Sequence, residues 1–152
     1  MKLPLTLMPL WHVAAEENPR YALTGLRIEP TPRGTLNVVA TNGKELLAAE
    51  VRDTDIQEGF TGATIPRHLC RSVEKLAKQF HTRGHIDCTF EGGSVHLDVP
   101  TGDGAVRLTA ALEEGRYPPW QDVVKPLAGL KLLEPTAKQR QCLVPVALKV
   151  PG

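Results

Sequence analysis

Residues 38–51 read VVATNGKELLAAEV and set the β character of the chain. Two apolar-rich runs flank Asn42-Gly43. Asn-Gly is the strongest short-range hairpin signal, because a two-residue type I′ turn needs φ > 0 at both central positions. Counting outward from such a turn pairs Val38 with Leu47 and Leu36 with Ala49 on one face, which reads as core, and Val39 with Leu46 on the other. On that second face Asn37, Thr41, Lys44 and Glu50 are polar. Val39 and Leu46 therefore form an apolar spot on a wet surface, and the spot needs something to cover it.

Toward the N-terminus, residues 20–29 alternate as a strand, with Ala22, Leu26 and Ile28 on one side and Tyr21, Leu23 and Arg27 on the other. Pro30, Pro32 and Gly34 turn this strand into the hairpin. Within residues 1–18, Leu5, Met8, Leu10, Trp11 and Ala15 recur near helical spacing. Pro9 fits only a first turn, so a short helix starting there is expected, ended by Asn18-Pro19.

Toward the C-terminus a polar connection over 53–60 leads to a short strand at 62–65. The clearest helix follows at 66–80, with Pro66 in its first turn and Leu69, Cys70, Val73, Leu76, Ala77 and Phe80 on one face. Its other side carries Arg67, Arg71, Lys75 and Lys78, interrupted by Glu74. Such a stripe is either a solvated face or a track for phosphates. From His85 the period changes to two. Ile86, Cys88 and Phe90, then Val95, Leu97 and Val99, then Val106, Leu108, Ala110 and Leu112 alternate with polar residues, and glycine-rich turns separate the three runs. The pattern is an antiparallel meander. The segment RYPPWQDVVKP at 116–126 reads as a loop that packs back through Tyr117, Trp120 and Val123. Residues 127–152 hold three more prolines and one apolar run, 143–150, with no assigned place.

The chain of 152 residues suits one domain with its own core. It is 41% hydrophobic and 23% charged with a net charge of +1, so any nucleic-acid role rests on local charge. Cys70, Cys88 and Cys142 follow no repeating spacing, and no signal-peptide pattern opens the chain. A reduced, cytoplasmic protein without disulfides is expected. No run approaches the roughly 20 apolar residues of a membrane span, so no membrane partner is expected. The chain carries no phosphate-cradling glycine loop, nucleophile elbow or paired carboxylates, so neither an enzyme nor a cofactor is expected. The one competing cluster is Cys70, His81, His85 and Cys88, which has zinc-ligand types without zinc spacing.

Four stretches carry a family likeness: RYALTGLRIEP at 20–30, NVVATNGKELLAAEV at 37–51, ATIPRHLCRSVEKL at 63–76 and EEGRYPPWQDVVKP at 113–126. In this order, with the meander before the last, they resemble one domain of the bacterial DNA polymerase sliding clamp, the beta subunit. They are most similar to its middle domain, which has a Tyr-x-Leu-x-Gly strand, a Val-Ala-Thr-Asp-Gly-His-Arg-Leu turn, an Ile/Val-Pro-Arg helix start and a Gly-Arg-Phe-Pro-Asp-Tyr loop. The likeness runs over about residues 5–126. It implies a single clamp-like domain at 1–126, a C-terminal extension at 127–152, and an α+β clamp fold of two helices packed on antiparallel sheet.

In that family three such domains per subunit and two subunits close a ring around duplex DNA, with basic helices toward the hole. The resemblance therefore implies weak, non-specific duplex binding through Arg67, Arg71, Lys75 and Lys78. It also implies a pocket for a short glutamine- and leucine-containing peptide of replication or repair partners at Leu23, Thr41, Gly43, Lys44, Glu45, Leu46, Pro118, Asp122 and Val123. The chain departs from the pattern with Lys44-Glu45 in place of His-Arg and with Asp122 in the loop, both of which make the rim more negative. It also has no Lys or Arg between Lys2 and Arg20, where the first helix would line DNA.

Three roles follow. They are a non-enzymatic clamp-like module in replication or repair, a clamp-fold interaction module without DNA affinity, and a small zinc protein using the cysteine and histidine cluster. A ring of single domains would need about six copies joined edge to edge. The last meander strand, charged only at Arg107 beyond its turn, is a suitable edge. With an uncharged first helix lining half the hole, a monomer or dimer is expected rather than a ring.

Overall fold

The structure, a computed structural model, describes residues 1–17, 23–52, 54–124 and 147–149. Two antiparallel sheets share one core. The first has strand order β1 (Lys2–Pro4), β6 (His85–Glu91), β7 (Ser94–Pro100) and β8 (Ala105–Ala111). The second runs β5 (Ala63–Pro66), β2 (Gly25–Pro30), β3 (Leu36–Thr41), β4 (Glu45–Val51) and β9 (Ala147–Lys149). One helix, α1 (Arg67–Gln79), and a 3-10 segment (Leu5–Val13) pack on the sheets, and a short helix, α2 (Trp120–Val124), follows β8. Leu26, Ile28, Leu36 and Val38 from one sheet and Ile86, Cys88, Val95 and Leu97 from the other are buried in a single cluster with Leu69, Cys70 and Val73 of α1.

The central hairpin keeps the expected faces but not the expected turn. Thr41 pairs with Leu46, Val39 with Ala48, Val38 with Ala49 and Leu36 with Val51, a register two residues longer than a two-residue turn gives. The Asn42 side chain is the cause. Its Oδ1 accepts the backbone N–H groups of both Lys44 and Glu45 at 2.8 Å, while the Thr41 hydroxyl donates to the Glu45 carbonyl at 2.6 Å. An asparagine that caps its own turn in this way widens the loop. Only Gly43 takes a positive φ, 89°, so the turn is not type I′. Since the slip is even, every side chain stays on its face.

The N-terminal segment differs more. Residues 2–4 form an unexpected strand on β6, with Leu3 opposite Ile86, and the helical segment starts at Leu5 rather than Pro9. It is 3-10 throughout, with Pro9 inside. A proline there has no N–H for an α-helical bond, and its ring would meet the carbonyl four residues back. Leu7, Met8, Leu10 and Trp11 are still buried, so the apolar spacing is used in a tighter helix.

α1 and the meander lie where the sequence places them. Pro66 caps the helix rather than opening it, and Thr82 N–H bonds the Ala77 carbonyl as His81 turns the chain at φ 52°. Phe80, expected on the apolar face, falls beyond the last helical turn and is 40% exposed. Gly25 is required where β2 meets β5, because a Cβ there would collide with the Ile65 carbonyl. The segment 116–126, expected as loop, contains α2. The tail, left without a place, adds β9 beside β4, with Leu46 opposite Leu148. The expected strand positions Tyr21 and Ala22 lie outside the described residues. Among the described residues no helix is long and apolar enough to cross a membrane.

Candidate partner surfaces

Across the β5–β2–β3–β4 sheet from the main core sits a second buried cluster of Ala15, Leu23, Val39, Leu46, Tyr117 and Trp120. The apolar spot formed by Val39 and Leu46 is thus covered by the chain's own 117–120 segment. Leu23 and Leu46 are buried in this cluster, 4% and 3% exposed. Glu29 holds the cover in place. Its Oε2 accepts Trp120 Nε1–H at 3.0 Å and Gln121 Nε2–H at 3.2 Å, and its Oε1 accepts Arg27 Nε–H at 2.9 Å. The Arg27 guanidinium lies 5.6 Å from the Tyr117 ring centroid. Burial, then the Glu29 carboxylate, push the Tyr117 phenol well above its usual range, and its hydroxyl has no hydrogen-bond partner among the described residues.

Of the other expected pocket positions, Thr41 is buried and bonded within the turn, whereas Gly43, Lys44, Glu45 and Asp122 are exposed and Pro118 is half-buried. Val123 contributes backbone to α2, and its side chain lies outside the described residues. What these positions offer is a polar rim above a filled apolar cluster. The covering role of residues so far along the chain had no local signal, although the inward pull of Tyr117 and Trp120 did.

The basic face of α1 is unequal along its length. Arg67 is drawn inward, with Nη2 3.7 Å from Glu16 Oε1, Nη1 3.5 Å from the Ala14 carbonyl, and its guanidinium 5.1 Å from the Trp11 ring centroid. Arg71 stacks over the same ring at 5.5 Å but is exposed, as are Lys75 and Lys78. Glu74 accepts Trp11 Nε1–H at 2.8 Å and contacts His12 Nε2 at 3.1 Å, so its charge is engaged by the 3-10 segment. The interruption of the stripe is therefore a structural tie. Beside Arg67 and Arg71 lies an open hollow of about 610 Å³ that also takes in Glu16, Glu17 and Glu113.

The cysteine and histidine cluster does not converge. Cys70 and Cys88 are fully buried, and desolvation pushes both thiols from about 9 to about 12, while His81 and His85 are exposed. Among the described residues no three His, Cys, Asp or Glu side chains could hold a metal ion. The zinc alternative is therefore corrected: the two thiols act as small apolar core groups.

No family model and no curated protein matches the sequence. Solved structures do match the fold. A DnaN sliding clamp, DNA polymerase III subunit beta, from Bartonella birtlesii bound to griselimycin aligns with TM-score 0.68 and 22% identity over 81% of this chain and 34% of that one. The Caulobacter crescentus pol III beta aligns with TM-score 0.62 and 23% identity over 81% and 34%. The Pseudomonas aeruginosa DNA polymerase III subunit beta gives 0.60 and 22% over 81% and 33%. The chain spans about a third of the length of the clamps it matches, and it has the α+β fold of a single sliding-clamp domain.

Proposed function

We propose that the chain is a non-enzymatic, single-domain clamp-like protein of the cytoplasm that serves replication or repair, touching duplex DNA weakly through α1 and a partner peptide through the β3–β4 loop and α2. The observation that carries this reading is the clamp-domain fold with Arg71, Lys75 and Lys78 exposed along one helix. Three cations on one helix neutralise few phosphates, so binding is weak and independent of sequence. Fluorescence anisotropy with a labelled duplex at low salt tests it. Wild type should bind, and Arg71→Glu with Lys75→Glu should abolish binding without loss of helix signal. Unchanged affinity in the double variant would remove α1 as the DNA surface.

For the peptide, Gly43, Lys44, Glu45, Pro118 and Asp122 remain the accessible positions, and Leu46 is reached only if Tyr117 and Trp120 move aside. A partner would carry leucine or phenylalanine anchors and a basic flank toward Glu45 and Asp122. A synthetic peptide with a leucine anchor and a basic flank is the probe for this surface.

A second reading, an interaction module without DNA affinity, is favoured by the inward pull of Arg67 and by a 3-10 segment without Lys or Arg. Wild-type binding to the duplex separates the two: the first reading requires it and the second requires none.

A further inference from the structure

Sheet edges expose unpaired N–H and C=O groups, and proteins blunt them by shortness, proline or charge. Three ends of the two sheets here are blunted. β1 has three residues and ends at Pro4, β5 has four and ends at Pro66, and β9 has three. β8 is different. It is seven residues long, AVRLTAA, contains no proline, and among the described residues no strand pairs with its outer side. Its one charge is already compensated, because Arg107 Nε and Nη2 donate to the two Asp98 oxygens at 2.8 and 2.9 Å.

The direction of its free groups follows from the ladder. Leu112 N–H donates to the Gly93 carbonyl and Thr101 N–H to the Gly104 carbonyl. Even-numbered residues of β8 therefore aim N–H and C=O at β7, and Ala105, Arg107, Thr109 and Ala111 aim theirs outward. The geometry points to a second copy of this chain as the occupant, paired antiparallel through β8 about a two-fold axis at Leu108.

In that register Ala105 meets Ala111 of the second copy and Arg107 meets Thr109. All four are outward-facing residues, so each pair exchanges two backbone hydrogen bonds. Between them Val106 faces Ala110 and Leu108 faces its own copy. These side chains are half-buried and lie on the core side of the sheet, so pairing covers apolar surface across the seam. No like charges oppose each other. The two four-stranded sheets become one of eight strands. The interface is isologous and closes at two copies, which uses up the edge that a head-to-tail ring would need.

Analytical ultracentrifugation of the full chain from about 1 to 200 μM tests this register. Wild type should move from monomer to dimer and no further. Thr109→Pro removes an outward N–H and the exposed contact of the Thr109 hydroxyl with His96 Nδ1 at 2.8 Å, but no bond of the β7–β8 ladder, and should leave a monomer with an unchanged circular-dichroism spectrum. Thr109→Lys sets a second cation against Arg107 of the other copy and should weaken dimerisation by at least a few-fold, whereas Thr109→Glu should preserve or tighten it. A wild-type monomer throughout, a hexamer, or a folded Thr109→Pro variant that dimerises like wild type would each overturn the proposal. So would equal effects of the lysine and glutamate substitutions.

Discussion

Glu74 and Glu29 hold the two sides of the molecule together, each accepting the indole N–H of a tryptophan from a distant segment. Because the indoles are buried, losing either acceptor leaves an unsatisfied donor, which costs about 1 to 3 kcal/mol. Glu29→Ala should therefore lower stability by that order in urea unfolding and loosen Trp120, read as a red shift of its fluorescence. Tyr117 behaves oppositely. Its hydroxyl is buried without a partner among the described residues, so Tyr117→Phe should be neutral or stabilising by up to about 1 kcal/mol. The thiols set a pH limit. Their folded values lie above the unfolded ones, so their stabilisation is complete below about pH 9 and is lost as pH rises from there toward about 12. Between pH 7.5 and 10 the loss of unfolding free energy should be smaller in Cys88→Ala than in wild type, by roughly 1 kcal/mol. An equal loss in both proteins would mean that the Cys88 thiol ionises as freely folded as unfolded.

At the scale of elements, the strong periodic patterns were legible and the non-local closures were not. The meander and α1 could be read because one face of each is apolar and turned to the core, fully buried in β6 and β7 and at Leu69, Cys70 and Val73 of α1. The hairpin faces could be read as well, since an even register slip leaves them intact. The turn could not, because the decision lay with one side-chain oxygen of Asn42. The 3-10 segment shares its apolar spacing with an α-helix, and three-residue β1 and β9 are too short to show a period. The candidate peptide site was half legible. Its exposed rim follows from turn residues, whereas the filling of its apolar floor depends on Tyr117 and Trp120 arriving from far along the chain. Trp120→Ala should cost about 3 kcal/mol by opening that floor, and it should raise rather than lower affinity for an apolar-anchored peptide. Isothermal titration with a leucine-anchored peptide would read the second effect.

At the scale of the whole molecule, the proposed DNA role rests on local charge, since the chain as a whole carries a net charge of only +1. A covered β4, a β8 without a partner strand on its outer side among the described residues and a 3-10 segment without Lys or Arg favour two copies over six, so in the proposed reading DNA is held by the charge of α1 and not by topology. The most direct test is the rate of loss from nicked circular and from linear duplexes of equal length, measured at one salt concentration. The account requires rapid, equal loss from both, accelerated in parallel by added salt. Slower loss from the circle would contradict it and establish encirclement, and no binding to either DNA would contradict it by removing the DNA role altogether.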